Sequence, residues 1–170
     1  MELIIRKAHV SDAERLLDYG LNIAEESPFL IITPEEMKAE DVSSEENWIK
    51  SFESSGNVLL VAEIEGEIVG SLNCNRPKRS RVRHIGTMGI AVRKAYWNQK
   101  VGTELIETLF EWAKENEVEE IQLTVLKNND RAIYVYQKLG FQVIGERPRA
   151  MKYEDGTYAD EVLMSYYLVR

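Results

Sequence analysis

Gly89-Ile90-Ala91-Val92-Arg93-Lys94-Ala95-Tyr96-Trp97-Asn98-Gln99-Lys100-Val101-Gly102-Thr103-Glu104-Leu105 reads as a β-branched strand that runs into a turn and from the turn directly into a helix. The first N–H groups of a helix have no carbonyl to receive them and carry about half a positive charge. A strand–turn–helix junction of this kind can hold a pyrophosphate. Gly102 would allow close approach of backbone to phosphate, and Arg93, Lys94 and Lys100 would add positive charge. Any α/β connection has this general form, so the junction alone names no ligand.

Outward from it, the pattern alternates between strand and helix. Upstream, Leu3 to Ala8 reads as a short strand, and Ser11 with Glu14 three residues later is a capping-box signature for a helix carrying Ala13, Leu16, Leu17 and Leu21. Thr33-Pro34 opens a second helix, and Ser43 or Ser44 a third through Ile49 and Phe52. Asn57–Ile64 and Glu67–Asn73 form a hairpin around Glu65-Gly66, and Ile85–Val92 is a central strand. Downstream, an amphipathic helix spans Lys100–Asn116, followed by a strand at Glu120–Leu126, a helix at Asn129–Leu139 and strands at Phe141–Arg147 and Tyr158–Leu168. Early hairpins and late helical crossovers predict an α/β fold with a mixed, twisted central sheet and helices on both faces. No linker or repeat divides the 170 residues, so a single domain over 1–170 is expected.

Composition narrows the function. The formal net charge of −8 disfavours nucleic acid as a partner. It suits a cationic substrate, and equally a protein made acidic for solubility. Hydrophobic residues make up 44% and charged residues 29%, a globular balance without a membrane-length apolar run. The start lacks a signal-peptide pattern, and the lone Cys74 can form no internal disulfide, so a cytoplasmic location is expected. No metal-ligand spacing and no Ser–His–Asp arrangement is visible. Arg76–Arg83 is a basic loop, either a solvated turn or an anion contact.

Two segments resemble the GCN5-related N-acetyltransferase (GNAT) superfamily. Asn129-Asp130-Arg131-Ala132-Ile133-Tyr134-Val135-Tyr136-Gln137-Lys138-Leu139-Gly140-Phe141 carries every marked position of the pattern Asn-x-x-Ala-x-x-x-Tyr-x-x-x-Gly-Phe. Trp97-Asn98-Gln99-Lys100-Val101-Gly102 is similar to Gln/Arg-x-x-Gly-x-Gly/Ala, with Trp97 in place of Gln/Arg and Lys100 in place of the first glycine. A lysine there is expected to take an ordinary helical φ. The C-terminal stretch with Asp155-Gly156, Tyr158, Asp160 and Met164 resembles the branch that acetylates ribosomal-protein N-termini and small amines.

The resemblance implies a GNAT acyl-CoA N-acyltransferase fold and acetyl-CoA as cosubstrate, without a metal. It implies that the strands Ile85–Val92 and Glu120–Leu126 splay to admit pantetheine along Ile90, Ala91 and Val92. The N–H groups of Asn98, Gln99, Lys100, Val101, Gly102 and Thr103 would hold the pyrophosphate. Asn129 would bond the cofactor, although it could equally cap a helix. Tyr136 would be the general acid, or else a packed aromatic. Glu25, Glu26, His84 and Asp160 are candidates for substrate binding or the general base, against solvated or loop roles. The acceptor would be a primary amine of a small molecule or a protein N-terminus. A non-catalytic CoA-binding sensor is the alternative. A homodimer could form through the final strand with Tyr166 and Tyr167.

Overall fold

The computed structural model describes residues 2–53 and 55–169. Its strands are β1 (Leu3–Lys7), β2 (Val58–Ile64), β3 (Glu67–Asn75), β4 (Ile85–Val92), β5 (Glu120–Leu126), β6 (Gln142–Lys152) and β7 (Tyr158–Tyr167). The helices are α1 (Ala13–Glu26), α2 (Pro34–Lys38), α3 (Val42–Glu53), α4 (Val101–Glu115) and α5 (Asp130–Lys138). The strands form one mixed sheet in the order β1-β2-β3-β4-β5-β7-β6. The chain groups into two compact units, Met1–Asn75 with Gly89–Glu111, and Arg76–Met88 with Trp112–Arg170.

In the first unit, the β2–β3 hairpin has helices on both of its faces. Leu59, Val61 and Ile68 join Ala13, Leu16 and Tyr19 of α1 and Ile49 and Phe52 of α3 in one buried cluster. A Cβ on Gly70 would meet Leu105 and Val101 of α4 at 3.2 and 3.3 Å, which puts α4 against the opposite face. A bulge explains how Ile68 and Gly70, two apart, face different ways. The register shifts between Ala62 and Glu63, so Ala62 pairs with Gly70 and Glu63 with Ile68.

The helix starts differ from the expected ones because aspartates take the capping positions. Val10–Asp12 form a 3-10 turn, and α1 begins at Ala13 with Asp12 as its N-cap. Ser11 does not cap. The Asp12 carboxylate instead accepts from the His9 N–H at 2.7 Å. Likewise Asp41 accepts from the Ser44 N–H at 2.8 Å, so α3 starts at Val42. Thr33 and Glu36 form the reciprocal box that opens α2, with Pro34 at the first helical position.

In the second unit, β5 is central. It pairs in parallel with β4 through Ile85–Glu120, Gly86–Ile121 and Thr87–Gln122, and antiparallel with β7 along its whole length. β7 pairs with β6 on its other side. Both edges of β7 are occupied from Glu161 to Ser165. β6 runs beyond the expected Arg147 to Lys152 by way of a register shift between Arg147 and Met151. That irregularity holds Pro148 and a left-handed Arg149 (φ 55°), which is why the sequence reads as a stop there. In the basic loop, Arg76 folds back, donating to the Asn116 carbonyl at 2.8 Å and lying over the Trp112 ring.

Candidate cofactor and catalytic residues

The end of β4 and the start of α4 lie in one unit. The Arg93 N–H donates to the Val69 carbonyl of β3 at 2.8 Å. Successive residues of a strand direct their backbone groups to opposite edges. Ala91 and Arg93 therefore serve the β3 edge, while Ile90 and Val92 point their N–H and C=O the other way. Their side chains meet the start of α4, since a Cβ on Gly102 would touch Ile90 and Val92 at 3.9 Å each. That is ordinary contact, so the fold itself does not forbid a side chain at Gly102.

Between strand and helix, Lys94–Tyr96 form a 3-10 turn, and Trp97 takes the place of the pattern's Gln/Arg. Its indole N–H donates to the Val92 carbonyl at 2.8 Å. Asn98 and Lys100 both adopt left-handed backbone, with φ of 62° and 65°. The expectation of an ordinary helical φ at Lys100 is thus corrected. Lysine keeps the backbone that glycine would take, because this turn requires it to deliver the chain into α4. The first helical bond is from the Glu104 N–H to the Lys100 carbonyl at 2.9 Å. Val101, Gly102 and Thr103 precede it, and their N–H groups have no carbonyl within the helix to receive them. These donors, with two left-handed residues just before them, form the kind of helix start that can receive an anion.

Helix α1 braces this segment. The Tyr19 hydroxyl, buried, donates to the Ala91 carbonyl at 2.7 Å and accepts from Ser71 Oγ at 3.0 Å. Burial raises its pKa. Glu26 accepts from Arg93 Nη2 at 3.1 Å and from the Lys94 N–H at 2.9 Å. Glu26 is therefore not a solvated helix end, and Arg93 is neutralised by it. Glu25 beside it is exposed. On β3, Asn73 Oδ1 would lie 2.6 Å from a Cβ on Gly89, so only glycine leaves room for that amide. Neither Tyr19 nor Asn73 was singled out from sequence. Tyr19 and Glu26 are seven residues apart on one helix face, a spacing that could have flagged the pair.

In the other unit, Asn129 caps α5, its Oδ1 accepting from the Ala132 N–H at 3.3 Å. That bond uses the amide oxygen and not the Nδ2 donors. The Tyr136 ring packs on Phe141 with centroids 5.9 Å apart, and burial pushes its phenol up to about 12. The helix ends at Gly140, whose φ of 105° and 3.0 Å clearance from the Tyr166 ring exclude a side chain. Asp160 accepts from the Arg149 N–H at 2.9 Å and so pins the β6 bulge. His84 is half-buried, and its carbonyl receives the N–H groups of Glu119 and Glu120. Among the described residues, no group of three or more His, Cys, Asp or Glu could hold a metal ion, and no helix is long and apolar enough to cross a membrane.

Comparisons with known proteins point to one family. Residues 20–141 match the Acetyltransferase (GNAT) family. The chain is 36% identical over 117 residues to the L-amino acid N-acetyltransferase AaaT of Escherichia coli (strain K12), a match covering 65% of this chain and 66% of that protein, just under two thirds of its length. An acetyltransferase of the GNAT family from Streptococcus pneumoniae superposes with a TM-score of 0.92 at 32% identity, covering 98% of this chain and all of that one. The fold is also that of yncA from Salmonella typhimurium, solved with its cofactor acetyl-CoA, with a TM-score of 0.87 at 18% identity over 100% of this chain and 96% of that one. The motif segments, the turn that replaces glycine by a left-handed lysine, and these matches lead to one conclusion: the chain belongs to the GNAT family of acetyltransferases.

Proposed function

We propose that this protein transfers the acetyl group of acetyl-CoA to a primary amine by direct attack. The observation that carries the proposal is the left-handed turn at Asn98 and Lys100, which aims the free N–H groups at the start of α4 beside the end of β4. The backbones of Ile90 and Val92 would meet pantetheine, whereas Ala91, expected beside them, turns its backbone to the β3 edge and its carbonyl accepts from Tyr19. Those of Asn98, Gln99, Lys100, Val101, Gly102 and Thr103 would meet the pyrophosphate, and Asn129 would offer its amide donors to the cosubstrate. The fold shared with yncA, solved with acetyl-CoA, supports this choice of cosubstrate.

In the reaction the amine nitrogen bonds to the thioester carbon, the C–S bond breaks, the amine gives up one proton and the departing thiolate gains one. An alkylammonium has a pKa of about 10.4, so a base or a water chain must take its proton at neutral pH. A backbone N–H late in β4 would stabilise the oxyanion. Tyr136 would serve the thiolate. Its phenol, raised to about 12, stays protonated throughout the working range. A thiolate whose thiol has a pKa of about 8.5 is too weak a base to take that proton. Tyr136 would therefore donate a hydrogen bond as the sulfur departs and yield its proton only to a thiolate made more basic by desolvation.

The Escherichia coli relative is an L-amino acid N-acetyltransferase, which makes free L-amino acids the first acceptors to test, with peptide N-termini and other small amines beside them. Amine-dependent release of free CoA thiol, with one acetylated amine formed per thiol, would support the proposal. Acetyl-CoA binding without turnover on any amine would favour a CoA sensor.

A further inference from the structure

Three bonds from α1 reach the stretch that leaves β4. Tyr19 holds the Ala91 carbonyl at 2.7 Å, while Glu26 holds the Arg93 guanidinium at 3.1 Å and the Lys94 N–H at 2.9 Å. The spacing matches. Seven residues of helix rise about 10.5 Å and three residues of strand about 10 Å, so one helix face can grip both ends of Ala91–Lys94 at once. Beyond Lys94 the chain is tied locally. The Tyr96 and Trp97 N–H groups donate to the Arg93 and Lys94 carbonyls, and the Trp97 indole returns to Val92. The next residues, Asn98 and Lys100, are the left-handed ones. A non-glycine residue pays about 1–2 kcal/mol to sit there, and persists only where its surroundings hold it.

We infer that Glu26 is a positioning residue for acetyl-CoA, fixing the entry to the pyrophosphate loop, and that it is not the general base. The inference rests on the acetyltransferase reading and adds to it a residue outside both family motifs. Each carboxylate oxygen already receives a directed hydrogen bond from the loop, so Glu26 is oriented toward Arg93 and Lys94 with only its remaining lone pairs open to an approaching amine. Releasing Glu26 frees the Lys94 N–H and the Arg93 side chain together. The turn at Asn98 and Lys100 can then relax toward ordinary backbone, and the donors at the start of α4 lose their aim.

Titration calorimetry with acetyl-CoA tests this on wild type, Glu26→Ala and Arg93→Met, each first shown to melt like wild type. Glu26→Ala is expected to bind about tenfold more weakly. Arg93→Met, which keeps the Lys94 N–H bond, should fall between. Hydrogen exchange of the ligand-free proteins should be faster over residues 94–103 in Glu26→Ala and unchanged in β2. With an amine that wild type acetylates, Glu26→Ala at saturating acetyl-CoA should keep its turnover to within about threefold. Wild-type affinity and exchange in Glu26→Ala would overturn the inference while leaving the acetyltransferase reading intact. So would a hundredfold loss of turnover with unchanged affinity, the mark of a base. A wild-type protein that binds no acetyl-CoA would overturn both.

Discussion

The Arg6 guanidinium grips the Asp12 carboxylate with two parallel hydrogen bonds of 2.8 Å each. Arg15 adds a third at 2.6 Å and the His9 N–H a fourth at 2.7 Å. Arg6 also reaches Glu63 of β2 at 2.8 Å, so the network ties β1, the start of α1 and β2 together. Asp12 is 1% exposed.

The Arg6 hydrogen bonds hold the Asp12 carboxyl well below its ordinary 3.8, against the opposing effect of burial. A depressed folded-state pKa contributes stability that is fully present above the unfolded value near 4 and is lost as pH falls toward the folded one. Asp12→Asn should cost about 2 kcal/mol at pH 7, because it removes the buried negative charge that accepts from the partly exposed Arg6 and the exposed Arg15. Urea unfolding from pH 7 to pH 2 checks this. The wild-type protein should lose stability below about pH 4, and the variant should lose less over the same window.

Lys100→Gly should stabilise the chain by about 1 kcal/mol, the cost of a side chain in left-handed backbone offset in part by glycine's freedom when unfolded. Lys100→Val at the same position should destabilise it, since β-branching is least tolerated there. Thermal melts of the two variants, moving in opposite directions, would test the handedness found at φ 65°.

Tyr136→Phe should lower turnover about a hundredfold, the usual scale for a lost acid–base group. Acetyl-CoA affinity should stay near wild type. Steady-state rates combined with calorimetry separate the two. Unchanged turnover would remove Tyr136 from the chemistry and leave it as the ring that packs on Phe141.

Local signals were legible in the sequence, and distant ones were not. Asn129 and Gly140 bracket α5 as a side-chain cap and a positive-φ terminus, both decided within a turn of helix. The β2–β3 hairpin turns at Glu65-Gly66, both left-handed, as its turn residues indicated. The bonds from Tyr19 to Ala91 and from Glu26 to Lys94 cross 72 and 68 residues, and no periodicity encodes such a partner. Lys100 misled because residue preference argues for ordinary φ, whereas the path from β4 into α4 dictates the opposite. Ser11 misled because Asp12, one residue later, had Arg6 and Arg15 to hold it. Pro148 concealed the second half of β6, since a bulge pinned by Asp160 accommodates it.

The central claim is that the start of α4 receives the diphosphate of acetyl-CoA. Calorimetric titration of acetyl-CoA into wild type and Gly102→Glu tests it most directly, because a Cβ at residue 102 meets only ordinary contacts and the variant should fold. The account predicts one molecule bound per wild-type chain and affinity at least about tenfold weaker in the variant, where a negative side chain stands among the N–H donors. Equal affinity in the two proteins would contradict it.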